Sequence, residues 1–269
     1  MSLDDYRIEA GKTFRLADFD PGAKPFSSGD KEADRTRIAQ LSEQLDAVQD
    51  IFYAEGRRKL LVVLQGMDTS GKDGTVRGVF RSFDPLGIRV VSFKAPTSEE
   101  LARDYLWRIH AQVPRRGEIV VFNRSQYEDV LVTRVHGWID EAECRRRYAQ
   151  IRAFETMLAE TGTVIVKCML HISKDEQKSR LEVRLADPHK HWKFDPKDLE
   201  ERRYWNDYMD AYQDAIAATA TPQAPWYVVP ADSKTHRNLM VAHILADVFA
   251  RLKPDYPPPQ PGLAKLKVV

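Results

Sequence analysis

Two periods of apolar residues alternate along this chain. Ile38, Leu41, Leu45, Val48 and Phe52 recur at spacings of three and four, which predicts an amphipathic helix over residues 33–55. The next apolar group, Leu60-Leu61-Val62-Val63-Leu64, is short and continuous, as a strand buried on both faces should be. Ile88–Phe93, Glu118–Phe122, Thr163–Leu170 and Trp226–Pro230 read as further strands. Helices are predicted over Gly74–Phe83, Ser98–His110, Glu141–Glu160, Pro196–Ala218 and Lys234–Leu252. Glu99 and Glu100 lie where a helix dipole favours acid, and Thr161-Gly162 is a helix stop. Strands alternating with helices predict an α/β fold of three layers, α/β/α, around a central parallel five-stranded sheet. Residues 1–30, with Pro21, Gly22, Pro25 and Gly29, read as an N-terminal arm; 31–255 as one domain; 256–269, with Pro257-Pro258-Pro259, as an irregular tail.

Composition narrows the partners. With 269 residues, 43% of them hydrophobic, the chain can bury a sizeable core. The net charge of +1 gives no bulk attraction to a polyanion, so such a ligand must be met by local clusters. The basic runs Arg57-Arg58-Lys59 and Arg145-Arg146-Arg147 come without a nucleic-acid-binding motif, and a nucleic-acid partner is not expected. Cys144 and Cys168 offer neither a disulfide framework nor zinc spacing, which suits a reducing cytoplasm. The acidic start Met1-Ser2-Leu3-Asp4-Asp5 is no signal peptide, and no apolar run approaches the ~18 residues of a membrane span.

The chemistry concentrates in three places. Gly66-Met67-Asp68-Thr69-Ser70-Gly71-Lys72-Asp73 links the first predicted strand to a helix starting near Gly74, the arrangement of a phosphate-binding P-loop. Gly66, Thr69, Ser70, Gly71, Lys72, Asp73 and Gly74 are its candidate phosphate ligands. Position 73 is Asp where a hydroxyl residue normally holds magnesium. Two carboxylates beside a phosphate cradle repel the ligand unless a divalent cation sits between, so Asp68 reads as magnesium-facing. Asp73 reads either as a second such group or as a helix cap. The second place is Asn123-Arg124-Ser125-Gln126-Tyr127-Glu128-Asp129, after a strand that in P-loop enzymes often ends in a metal-binding Asp. Arg124 can grip phosphate bidentately there. The third is the charged segment of about 173–196. Lys178, Arg180 and Arg184 lie on a helix, with Arg180 and Arg184 one turn apart, as in a mobile lid laid over a transferring phosphoryl group. His189 and His191 read as surface or anion-touching residues. The stripe Tyr204-Trp205-Tyr208-Tyr212 reads as core or subunit interface rather than a base-stacking platform.

Gly66 to Gly74 resembles the P-loop of the polyphosphate kinase 2 family, and Phe122-Asn123-Arg124-Ser125-Gln126-Tyr127-Glu128-Asp129-Val130-Leu131-Val132 resembles its second signature. With Leu181-Glu182-Val183-Arg184 and His191-Trp192-Lys193-Phe194, the likeness covers most of residues 35–250. It implies a thymidylate kinase-like P-loop kinase fold with a helical lid, and reversible phosphoryl transfer between inorganic polyphosphate and nucleotides with Mg2+ or Mn2+. Asp68, Lys72, Arg124 and Arg184 match the family's catalytic positions. Asn123 stands where many members have Asp, with Asp68 and Asn123 as the implied metal-facing residues. Asn123, Arg124, Glu128 and Asp129 are the implied nucleotide-facing group. The Asn-Arg-Ser-x-Tyr-Glu-Asp form resembles members that phosphorylate both AMP and ADP; GMP and GDP are further expected acceptors. A lysine and arginine tunnel drawn from Lys72, Arg77, Arg81, Lys178, Arg180, Lys190 and Lys193 is expected to hold the polyphosphate, whose binding should weaken with salt. The likeness also suggests a homotetramer or homodimer. The alternative is an ATP-dependent nucleoside monophosphate kinase.

Overall fold

The computed structural model describes residues 2–11, 13–263 and 266. After a short strand β1 (Arg7–Ile8), Asp30 caps the long helix α1 (Lys31–Glu55) by accepting from the Glu32 and Ala33 amides, and Gly56 ends it in the left-handed region. The chain then runs β2 (Lys59–Gln65), α2 (Lys72–Val79), β3 (Ile88–Ser92), α3 (Ser98–Leu101), α4 (Trp107–His110), β4 (Ile119–Asn123), α5 (Glu128–Val135), α6 (Glu141–Glu160), β5 (Thr163–His171), α7 (Lys174–Ala186), α8 (Lys197–Glu201), α9 (Trp205–Thr219), β6 (Trp226–Pro230) and α10 (Lys234–Leu252). The sheet order is β1-β6-β5-β2-β4-β3. β2 to β6 are parallel, and β1 adds an antiparallel edge. The predicted five-stranded parallel sheet is present, with a sixth strand from the arm.

β2 lies between β4 and β5, and Leu60 to Leu64 are all but inaccessible to solvent. That burial explains its unbroken apolar run. Both neighbours are parallel to it, so the carboxyl ends of β2, β4 and β5 open on one edge of the sheet, where open α/β sheets bind ligands.

Two predicted helices depart from the sequence reading, and the arm gains a packing role. In the arm, Tyr6, Ile8 and Leu16 are buried, and Phe26 stacks on His236 and lies tilted against His243 of α10. Its pairing partner, β6, lies more than two hundred residues away, beyond the reach of local pattern. The helix predicted over Ser98–His110 is two short ones, broken where Asp104 accepts from the Leu106 amide in a local turn. The helix predicted over Pro196–Ala218 is also divided, into α8, a 3-10 turn at Arg202–Tyr204, and α9. Part of the predicted irregular tail, residues 264, 265 and 267–269, lies outside the described residues.

Two histidines carry a pH dependence. His171 at the end of β5 and His236 of α10 are both under 10% exposed, and burial pulls each down to about 4 from an ordinary value of 6.5. The unfolded chain therefore takes up these protons near pH 6.5 and the folded one only near 4. Stability should fall as pH drops through that window, by on the order of 1–3 kcal/mol per histidine. Urea unfolding at pH 7, 6 and 5 should show this loss, and a His171→Gln, His236→Gln variant should show a flatter profile.

Candidate active site

The loop between β2 and α2 is shaped by backbone conformations that few residues accept. Gly71, the residue before α2, has φ 105°, and Thr69 is held at φ 63°. A side chain at Gly71 would run into the Arg237 guanidinium. The loop wraps the N-terminus of α2, where free amides and the helix dipole favour an anion. The hydroxyls of Thr69 and Ser70 are buried and have no protein partner among the described residues. Lys72 curls back over the loop, its Nζ donating to the carbonyl oxygens of Gly66 (2.5 Å) and Met67 (3.3 Å). Burial, then the nearby Arg124, hold its amine below the ordinary lysine range, opposed by Asp68, Glu128 and Asp73.

The parallel pairing of β4 with β2 sets Asn123 opposite Leu64 and so delivers 123–129 beside this loop. Arg124 leaves the strand at φ 65°, its amide donating to the Leu64 carbonyl. Its guanidinium donates to Asp68 Oδ1 at 2.8 Å and lies 3.8 Å from Glu128 Oε2. Glu128 first, then Asp68, strengthen its hold on its proton against burial. Gln65, fully buried at the end of β2, ties the two segments together. It donates to Glu128 Oε1 (2.9 Å) and accepts from the Ser125 hydroxyl (3.3 Å). Beneath lies an inaccessible ion pair, Lys167 Nζ to Glu155 at 2.6 Å, and that carboxylate also accepts from Tyr127 and Gln126. Arg124 thus stands on a loop held from below by a polar network. Asp129 sits deeper, 3.9 Å from Arg108, and burial pushes its carboxyl up to about 6.

The segment predicted as a lid contributes differently from expectation. α7 starts with a Ser173 cap and runs past the loop. Arg180 and Lys178, expected together as phosphate ligands, are placed differently from one another. Arg180 is buried, donating to the carbonyls of Thr69, Ser70, Ala231 and Asp232 and pairing with Glu176 at 2.7 Å, so it braces the loop from behind. Lys178 is exposed, 3.9 Å from Glu182. Arg184 donates to the Lys193 carbonyl (3.1 Å) and to Asp198 (3.4 Å). Arg77 and Arg81 are exposed, Lys190 pairs with Asp187, and Lys193 lies over Trp192. Trp205, Tyr208 and Tyr212 are buried as core, while Tyr204 is exposed.

Sequence reasoning missed Gln65, Gln177, Asp198 and Arg237. Gln177 donates to the Asp68 carbonyl at 3.1 Å. Asp198 faces the loop from α8, and burial, then Asp68, raise its carboxyl to about 6. Gln65 left a signal, a polar residue closing an apolar strand; the others left none.

No group of three or more His, Cys, Asp or Glu side chains converges on one point among the described residues. Magnesium does not need one, since it takes one or two carboxylates and leaves the remaining positions to water and phosphate oxygens. The all-oxygen donors Asp68 and Asp73 beside the loop fit that demand. Asn123 donates its amide to Asp73 Oδ1 at 2.6 Å and in this arrangement orients that carboxylate.

A phosphate loop at the carboxyl edge of a parallel sheet, faced by an arginine and carboxylates, defines a P-loop phosphotransferase. The family model described as polyphosphate kinase 2 matches residues 28–256. The AMP/ADP-polyphosphate phosphotransferase of Meiothermus ruber is 50% identical over 266 residues, covering 99% of this chain and all of that protein. The ADP-polyphosphate phosphotransferase of Rhodopseudomonas palustris is 40% identical, over 97% of this chain and 94% of that one. The crystal structure of polyphosphate kinase 2 from Arthrobacter aurescens TC1 superposes with a TM-score of 0.94 at 48% identity, over 98% of this chain and 95% of that one. The chain belongs to the polyphosphate kinase 2 family.

Two substitutions separate the site from its support. Arg124→Lys keeps the charge but loses the planar fork, and kcat should fall by about 10²–10³ with the melting temperature little changed. Glu155→Ala leaves Lys167 buried without its counter-charge, and urea unfolding should report a loss of roughly 3–5 kcal/mol.

Proposed function

We propose that this protein transfers phosphoryl groups between inorganic polyphosphate and adenine nucleotides, converting AMP to ADP and ADP to ATP, with GMP and GDP as further acceptors. Full-length likeness to an AMP/ADP-polyphosphate phosphotransferase carries the reading. The site's chemistry agrees with it. An acceptor phosphate is already anionic at neutral pH, so its oxygen needs no general base to attack the terminal phosphorus of the chain. The bond formed joins that oxygen to phosphorus, the bond broken is the terminal anhydride, and the shortened polyphosphate leaves. What the protein must supply is alignment and positive charge.

Lys72 and the α2 amides would hold the donor phosphates. Arg124, between Asp68 and Glu128, would stabilise charge on the group in transfer. Arg184 would come over the same group from the lid, exchanging Asp198 for phosphate. Magnesium, or manganese in its place, would be held by Asp68 and Asp73 and would neutralise phosphate oxygens. Asn123, Glu128 and Asp129 would face the acceptor. Transfer between phosphoanhydrides is nearly balanced, so the reaction runs both ways.

The two free, buried cysteines support action in the cytoplasm. No helix is long and apolar enough to cross a membrane among the described residues. Leu101 and Trp107, apolar and exposed on the short helices α3 and α4, support assembly as a homodimer or homotetramer.

A matrix of polyphosphate and ATP as donors against AMP, ADP, GMP and GDP tests the reading. Magnesium with polyphosphate and AMP should yield ADP and then ATP with no ATP added. ADP formation from AMP only when ATP is the donor would replace it with the ATP-dependent monophosphate kinase. Lys72→Ala should lower turnover by about 10²–10³ with an unchanged circular dichroism spectrum.

A further inference from the structure

Arg237, near the start of α10, is 2% exposed. Its Nη1 donates to the Ser70 carbonyl at 3.2 Å, and Nε and Nη2 donate to Asn238 Oδ1. No carboxylate pairs with it among the described residues, and the charge that acts on it is another cation, Arg180. Burial and that neighbour pull the guanidinium down to about 9, far below an ordinary arginine. Buried charges are ordinarily matched by a partner, since desolvating one alone is costly.

Its position sharpens the anomaly. α2 is built to admit it: a Cβ on Gly71 would strike its guanidinium, one on Gly74 would come within 2.8 Å of Nη2, and one on Gly78 would strike the neighbouring Asn238 amide. The cation is thereby packed against the N-terminal end of α2, the positive end of the helix dipole. The Arg180 charge and the helix dipole both oppose this cation, and it is met by neutral acceptors alone, the Ser70 carbonyl and Asn238 Oδ1, among the described residues. An anion in the loop would supply the counter-charge that these acceptors do not.

A route for that coupling runs through one peptide group. Arg180 and Arg237 both donate to the Ser70 carbonyl. A trans peptide sets its C=O and N–H on opposite sides. The N–H partner of that carbonyl belongs to Gly71 and has no protein acceptor among the described residues. Two cations on the carbonyl polarise the peptide and strengthen its N–H as a donor on the far side.

We propose that Arg237 is a buried positioning residue of the polyphosphate donor site, a charge left unmatched by the protein and matched by the phosphate chain held in the loop Gly66–Asp73. This rests on the donor assignment made under the proposed function. It gives the glycines at 71, 74 and 78 a shared purpose, and it makes the loop costly to hold empty and selective for dense negative charge.

Thermal unfolding of the full chain with magnesium, with and without sodium tripolyphosphate, tests this on wild type, Arg237→Met and Arg237→Lys. Wild type should gain melting temperature on adding tripolyphosphate. Arg237→Met should melt no lower than wild type without ligand, should lose roughly half or more of that gain, and should show a KM for polyphosphate raised about tenfold, with kcat and the KM for ADP within about twofold. Arg237→Lys should keep most of the gain at pH 7. An Arg237→Met protein that is destabilised without ligand, or cannot fold, overturns the proposal by making the arginine a structural brace. So does one that keeps the full gain and KM while wild type responds, an outcome that leaves the donor assignment standing. An Arg237→Lys gain as small as that of Arg237→Met overturns the role of charge. A wild type indifferent to tripolyphosphate removes the donor site and this inference together.

Discussion

Positive charge is gathered around a single loop, and most of the surrounding structure answers to that constraint. Lys72, the α2 N-terminus, Arg124, Arg180 and Arg237 all approach Gly66–Asp73, two of them buried. Each is restrained by something other than a free phosphate. Lys72 is folded onto backbone carbonyls, Arg124 is held between Asp68 and Glu128, and Arg180 is pinned by four carbonyls and Glu176. A polyanion entering this loop would replace the partners of Lys72 and Arg124, while Arg180 keeps bracing the loop from behind, so the contacts that hold the loop also preorganise it.

The sheet makes the site possible, and the layer beneath the sheet's edge makes it rigid. Parallel pairing of β2 with β4 places Arg124 beside Asp68, although the two are 56 positions apart. The left-handed turn at Arg124 is not a conformation an arginine takes readily. Ser125, Gln126 and Tyr127, all buried, hold it there through Gln65 and through the Glu155–Lys167 pair. A buried ion pair adds little net stability to a fold compared with a well-packed apolar core. Here it supplies several directed acceptors and donors at one depth, which apolar packing cannot do, and that fixes the angle at which the Arg124 loop leaves the strand.

The two halves of α7 are held differently. Its first half is structural, with Gln177 and Arg180 fastened to the backbone of the phosphate loop. Its second half carries Arg184, which is half-buried and among the described residues reaches Asp198 and one carbonyl. A lid hinged in this way would move at its Arg184 end while its Arg180 end stays fixed.

The amino-acid sequence by itself determined the alternation of strands and helices, the phosphate loop and the Asn123–Asp129 segment. Each of these is local: apolar periodicity, glycines bounding a loop, a polar cluster at a strand end. It also carried the family likeness, because the two signatures are contiguous runs. The sequence did not determine which cations face the phosphate and which hold the loop in place. Arg180 and Arg184 look alike on a helical wheel, one turn apart, yet one is buried against carbonyls and the other stands beside Asp198. Nor did it reveal Arg237, Gln177 or Asp198, because their meaning lies in contacts with residues far away in the chain. Those roles were decided by tertiary structure, since burial and the distance to a counter-charge set what a charged group does, and both depend on how the layers pack.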